Sequence, residues 1–197
     1  MSRLLAPWRL CERIVFVKSR QPKRLDAAGL FNYALRTLSA RALTLGELRT
    51  RLRARAASAG DVEGVVARLK QCGYLDDRRF AETYARLRRE NQGFGKFRVL
   101  RDLKGRRVAP ALAEKVVAEA YRGADEARLI EQFLKRKLRY TDVRPRLENP
   151  RKLASLYRML LRAGFTSGKI LESLRKLSAQ PDWVDGLESA AEEEVPD

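Results

Sequence analysis

The chain contains no histidine. That removes every Ser-His-Asp and Cys-His catalytic arrangement and every imidazole metal ligand. Cysteine is almost as scarce. Cys11 and Cys72 are the two present, distant in sequence and forming no Cys-x-x-Cys pair. Two such thiols suit a reducing cytoplasm, with Cys72 read as a small core residue. No apolar run approaches the roughly eighteen residues that span a bilayer. Leu10 to Val17 follows a basic N-terminus, but Cys11, Glu12 and Arg13 break it, so no signal peptide is read. Strand-like sequence is confined to Ile14-Val15-Phe16-Val17. Residues 178–197 lack lysine and arginine altogether.

What is present is positive charge. Forty-two Lys and Arg face 25 Asp and Glu, a formal net charge of +17 over 197 residues. Seven of the acids (Asp182, Asp185, Glu188, Glu192, Glu193, Glu194 and Asp197) lie in 178–197. Residues 1–177 therefore hold 42 cations against 18 acids, a net +24. Arginine outnumbers lysine 31 to 11, which a GC-rich genome produces unaided. The excess of cations over acids is not explained that way. It implies a polyanionic partner such as nucleic acid. The 45% apolar fraction is ample for a folded protein.

From Asp26 onward the pattern is helical. Asp26 caps a first helix with Leu30, Phe31, Ala34, Leu35 and Leu38 on one face. Thr44-Leu45-Gly46-Glu47 has capping-box spacing, and its helix turns Leu45, Leu48 and Leu52 inward. Asp61 is read as the cap of a third helix bearing Val62, Val65, Val66 and Leu69. Next comes Gly73-Tyr74-Leu75-Asp76-Asp77-Arg78-Arg79-Phe80-Ala81. Gly73 supplies a left-handed stop, Tyr74 and Leu75 bury the corner, and Asp76 or Asp77 caps a fourth helix running to about Glu90. Phe80, Tyr84 and Leu87 continue it at helical spacing. A fifth helix carries Val99, Leu100 and Leu103. Pro110 opens a sixth with Leu112, Val116 and Val117, stopped by Gly123. Asp125 starts a seventh with Leu129, Phe133 and Leu138. Asn149-Pro150 starts an eighth, ending at Gly164, and Thr166 or Ser167 caps a ninth with Ile170, Leu174 and Leu177.

These helices recur in threes. Leu52, Leu103 and Leu160 align, each in an amphipathic helix before a short basic corner, and Val108 matches Phe165 after it. The expected fold is all-α, an elongated, curved array of tandem three-helix repeats. Residues 1–25 form a basic N-terminal extension, open to being a strand, a docked arm or a disordered leader. Residues 26–75, 76–123 and 124–177 form the three helical repeats, the last with a loop at 139–149. Residues 178–197 form an acidic C-terminal tail.

No catalytic or metal site emerges. Gly93-Phe94-Gly95-Lys96 lacks the remaining positions of a phosphate loop and reads as an interhelical turn. Asp76-Asp77 reads as a cap, with no further ligand spaced to join it. No nucleophile with a base and no cofactor fingerprint is found, so neither an enzyme nor a cofactor is expected. The densest positive region runs through Arg86, Arg88, Arg89, Lys96, Arg98, Arg101, Lys104, Arg106 and Arg107, opposed by Glu90 and Asp102. Such cations bind phosphates by counterion release and carry no base-reading code. Of the two aromatics among them, Phe97 is read as core, and Phe94 stays open between packing and base stacking.

Gly73-Tyr74-Leu75-Asp76-Asp77-x-x-Phe80-Ala81 closely resembles the signature of the RecX family, regulators of the RecA recombinase. Leu45-Gly46-Glu47-Leu48, Val66 to Leu69, Gly93-x-Gly95-x-x-Arg98-Val99-x-x-Asp102-Leu103 and Leu160-Leu161-Arg162-Ala163-Gly164-Phe165 extend the likeness over about residues 27–177. The resemblance implies modular three-helix repeats without enzymatic activity. It implies binding to the RecA–DNA filament in the cytoplasm and inhibition of its extension, ATPase and strand exchange. Homologous recombination, DNA repair and the SOS response would thereby be restrained. Its implied partners are the RecA filament and DNA phosphates, with no membrane and no small-molecule substrate. Two positions depart from the pattern. Arg107 stands where the family carries glycine, which requires a left-handed arginine or a different helix ending. Ala56-Ala57-Ser58-Ala59-Gly60 replaces a compact corner. Read without the resemblance, the residues also suit a general DNA-binding helical protein (a transcriptional or architectural factor), or a helical adaptor. The acidic tail, through Glu192-Glu193-Glu194, is a candidate competitor for the cationic face.

Overall fold

A computed structural model of the chain describes residues 24–138 and 147–178, with Val184 and Leu187 beyond them. Cap chemistry sets the helix starts. The Asp26 carboxylate accepts from the Gly29 N–H at 2.9 Å and opens α1 (Ala27–Ala40). Thr44 opens α2 (Leu45–Arg53) with a complete capping box: its hydroxyl accepts from the Glu47 N–H, and Glu47 accepts from the Thr44 N–H. Ser58, rather than Asp61, caps α3 (Ala59–Gln71). Its hydroxyl reaches the Gly60 N–H first, which leaves Asp61 inside the first turn, where its charge still favours the positive helix end. Asp76 caps α4 (Asp77–Leu87), which continues as a π-helical turn over Arg88–Gln92.

The remaining helices are α5 (Lys96–Gly105), α6 (Pro110–Ala120), α7 (Glu126–Lys137), α8 (Pro150–Arg162) and α9 (Ser167–Leu177). Asp125 and Asn149 cap α7 and α8 as expected. Thr166 precedes α9 without a side-chain cap, because its N–H and hydroxyl both donate to Glu126 of α7, at 2.7 and 3.0 Å. Gly73, Gly93, Gly123 and Gly164 close helices at positive φ. Arg107 does the same at φ 62°, so this corner takes the left-handed ending without a glycine.

Burial divides the helices into three cores. Leu30, Leu48, Leu52, Val62 and Leu69 centre the first. Ala81, Ala85, Val99, Leu103 and Val116 centre the second, and Ile130, Phe133, Leu153, Leu160 and Ile170 the third. Helices α1–α3, α4–α6 and α7–α9 are the corresponding units of a tandem all-α array. Some expectations fail at the surface. Cys72 is exposed, because it follows α3 on the solvent side of the Gly73 corner. Tyr74 is 58% exposed, so Leu75 alone buries that corner. Val184 and Leu187 are buried in the third core, so the chain after 178 is partly structural. Cys11, Ile14–Val17, Leu10, most of the 139–149 loop and Glu192–Glu194 lie outside the described residues.

The joints between units reuse the same parts. A helix N-terminus has N–H groups without intrahelical partners. In both joints the second helix of one unit offers that end to the last corner of the next. Thr44 Oγ1, before α2, donates to the Arg106 carbonyl at 2.5 Å. The Gly95 and Phe97 N–H groups, at the start of α5, donate to the Ala163 and Gly164 carbonyls at 2.9 and 3.2 Å. Gly46 and Gly95 are the glycines at the two contacts. A Cβ on Gly46 would stand 2.7 Å from the Arg107 carbonyl oxygen, and one on Gly95 would overlap the Gly164 carbonyl. At the head of the array Leu25 occupies the equivalent corner. Its N–H donates to Arg55 O at 2.8 Å and its carbonyl accepts from the Ala57 N–H at 2.9 Å.

Candidate nucleic-acid interface

The second joint gathers arginines from three places in the chain. The π-turn after α4 carries Arg88, α5 carries Arg98 and Arg101 one turn apart, and the corner after α5 carries Arg106. Docking of the third unit adds Arg162, the last residue of α8. These five arginines line an open groove of about 710 Å³, with Tyr84, Asp102 and Gly105. Among the described residues Asp102 is the lone carboxylate lining it.

The groove is ordered by contacts that leave guanidinium edges available. Asp102 accepts from Arg98 Nε at 3.0 Å and from the Tyr84 hydroxyl at 3.2 Å. Arg88 and Arg106 lie over the Tyr84 ring, 4.7 and 5.1 Å from its centroid. Arg98 lies over Phe94 at 5.4 Å. Arg88 gives one in-plane donor to Gln92 and Arg106 pairs with Glu47 at 3.5 Å, and a guanidinium stacked on a ring keeps its other in-plane donors available for phosphate oxygens. Arg101 Nη2 donates to the Arg162 carbonyl at 3.2 Å, tying α5 to the end of α8 and satisfying a terminal carbonyl. The Arg162 side chain is exposed and forms no hydrogen bond or ion pair among the described residues. Burial pushes the Tyr121 hydroxyl well above its ordinary range, and it donates to the Phe94 carbonyl at 2.6 Å, holding the Gly93–Gly95 turn beneath the groove.

Four of the nine cations expected at the interface, Arg88, Arg98, Arg101 and Arg106, converge here. The other five point elsewhere. Arg89 donates to the Ala120 carbonyl and ties the π-turn to the end of α6. Lys104 pairs with Glu114 at 2.8 Å, and Arg107 donates to Thr50 Oγ1. Lys96 sits over Phe97, whose ring is 50% exposed rather than in a core. Arg86 is exposed away from the groove lining. Arg162 was missing from the expected set. Its signal was the corner Leu160 to Phe165, whose alignment with the α5–α6 corner marks it as the piece that docks on the preceding unit.

The signature block is a joint as well as a corner. Asp76 caps α4 by accepting from the Arg79 N–H at 3.0 Å. Asp77 accepts from the Leu45 N–H of the first unit at 2.7 Å. Burial raises the Asp77 carboxyl, against the lowering effect of that hydrogen bond. Ala81 is fully buried in the second core, with Phe80 packed against it.

The model of the second three-helix domain of RecX matches residues 76–117, the segment that carries four of the five groove arginines. The regulatory protein RecX of Trichlorobacter lovleyi is 32% identical over 143 residues, covering 73% of this chain and 92% of that protein. The chain belongs to the RecX family. The Deinococcus radiodurans RecX is 31% identical over 163 residues, covering 82% of this chain and 75% of its own. The crystal structure of RecX from Lactobacillus salivarius matches with a TM-score of 0.55 at 20% identity, over 77% of this chain and 96% of that one, a likeness of fold. Among the described residues of this RecX member no helix is long and apolar enough to cross a membrane.

Proposed function

We propose that this RecX-family chain restrains the RecA recombinase in the cytoplasm by seating on the RecA–DNA filament. There it blocks filament extension, lowers RecA ATPase and strand exchange, and catalyses nothing itself. The observation that carries the reading is the convergence of Arg88, Arg98, Arg101, Arg106 and Arg162 on one groove opposed by Asp102. Such a groove follows a phosphate backbone without reading bases. Its position across a joint between units gives it length along the array, which suits a helical polymer. Arg86, Arg89, Lys96, Lys104 and Arg107 add to the surrounding potential while their side chains serve the fold or the outer surface.

The test is RecA ATPase on single-stranded DNA with this protein at substoichiometric ratio. Inhibition beyond the molar ratio, lost in Arg101→Glu/Arg162→Glu, supports the reading. Unchanged ATPase, with tight salt-sensitive binding to bare duplex, makes the chain a general DNA-binding protein instead.

A further inference from the structure

A second concave surface lies one helix away from the arginine groove. The C-terminal half of α1 and the outer face of α4 enclose an apolar slot of about 820 Å³, within the size range of binding sites, roughly 300–1,000 Å³. Leu35, Leu38, Leu43, Phe80, Tyr74 and Leu87 line it. Tyr74 is 58% and Leu87 43% exposed, and these are two of the four large apolar side chains most exposed among the described residues. Neither belongs to any of the three cores. An apolar concavity of this size is the kind of surface that takes a ligand or a partner's side chains.

Charge and continuity indicate the occupant. Arg36 and Arg79 stand on the rim, exposed, and their side chains form no hydrogen bond or ion pair among the described residues. Asp76 also lines the slot, but its carboxylate is engaged in capping α4. The rim therefore favours acidic groups flanking an apolar anchor. Tyr84 lines both the slot and the arginine groove. Arg106 lies over Phe80 on the slot side and over Tyr84 between them, at 5.7 and 5.1 Å. A surface for phosphates and a surface for apolar protein groups thus share a wall.

We propose that the slot takes an apolar, acid-flanked segment of the protein that coats the nucleic acid, while the neighbouring groove takes phosphates. This rests on the filament reading above and gives its protein contact a location, in the manner of an apolar anchor set into a groove. The slot supplies the preference for coated over bare DNA, and the groove supplies affinity common to both.

The experiment measures the affinity of the full chain for a RecA–single-stranded DNA filament and for the same DNA bare. It compares wild type with Tyr74→Ser/Leu87→Ser. Both side chains are exposed, and an unchanged melting temperature verifies the fold. The expected result is about tenfold weaker filament binding with bare-DNA affinity unchanged, the scale of losing central apolar contacts. Arg36→Gln/Arg79→Gln should weaken filament binding in the same selective way. Equal filament affinity in wild type and both variants overturns the slot and leaves the filament reading standing. An equal loss on filament and bare DNA also overturns it. Wild type with no preference for the filament overturns the filament reading, and the slot's occupant with it. If the slot instead joins two copies of the chain, wild type sediments as a dimer and Tyr74→Ser/Leu87→Ser as a monomer, which likewise refutes the proposal.

Discussion

Single residues at the joints carry more consequence than their size suggests. Gly95 and Gly64 make the comparison. A methyl on Gly95 meets the Gly164 carbonyl and the Phe165 nitrogen, backbone on both counts, so the second and third units must separate to admit it. Gly95→Ala should destabilise by about 1–3 kcal/mol, as overpacking does. Gly64 lies inside α3 with nothing within 4 Å, and Gly64→Ala should stabilise by about 1 kcal/mol through helix propensity. Urea unfolding monitored by circular dichroism separates the two. Equal effects would mean the joint does not close as described. Arg107 offers a third case. Its φ of 62° costs about 1–2 kcal/mol for a residue with a Cβ, so Arg107→Gly should raise the melting temperature. The strain was legible because Arg107 occupies a place where the pattern requires glycine. The exposure of Cys72, Tyr74 and Phe97 was not. An apolar residue beside a corner reads the same whether it faces the core or a groove, and only the packed neighbours decide.

Helices are held at their ends, and those ends are where units meet. Thr44 is fully buried, accepting from the Glu47 N–H at 3.1 Å while donating to Arg106 O at 2.5 Å. Thr44→Val keeps the shape and loses both bonds, at a cost of about 1–3 kcal/mol, and Thr44→Ser should recover most of it. A lower urea midpoint at unchanged m-value checks this. On α9, Glu172 accepts from Lys169 and Lys176 at 2.8 and 2.9 Å, and these bonds hold its carboxyl at about 2, below the ordinary 4.5. A depressed carboxylate stabilises the fold fully above pH 4.5 and loses that contribution as pH falls toward about 2. Glu172→Gln should therefore flatten the melting temperature in that window. Asp77, raised by burial, has the opposite sign: its destabilising effect grows as pH rises through its elevated value. An unflattened profile in Glu172→Gln would assign the acid sensitivity to other carboxylates. Helix starts at Asp26, Thr44, Asp125 and Asn149 were legible because each cap precedes an apolar period. Asp61 misled because α3 starts earlier, where the Ser58 hydroxyl accepts from the Gly60 N–H and leaves Asp61 inside the first turn.

At the scale of the molecule, the repeat was legible and the docking was not. Leu52, Leu103 and Leu160 mark the period, and the cores around them follow from it. Which corner meets which helix start depends on contacts across about sixty residues, such as Arg101 to Arg162, and a one-dimensional charge count spreads the interface over nine cations instead of gathering five. The acidic end divides likewise. Val184 and Leu187 belong to the third core, so removing residues 178–197 should unfold that unit, each buried side chain being worth about 1.5–3 kcal/mol. Removing only residues 188–197 takes away Glu188, Glu192, Glu193, Glu194 and Asp197 and should tighten DNA binding without lowering the melting temperature. Unchanged affinity in the shorter deletion would end the idea that the tail competes for the groove. The central claim is that cations gathered across a joint of stacked helical units engage a DNA backbone. Its most direct test is the salt dependence of binding to single-stranded DNA, wild type against Arg101→Gln/Arg162→Gln. The account predicts a log–log slope shallower by about 1.4 in the variant, at about 0.7 per phosphate contact on single strands. A slope identical to wild type would contradict it.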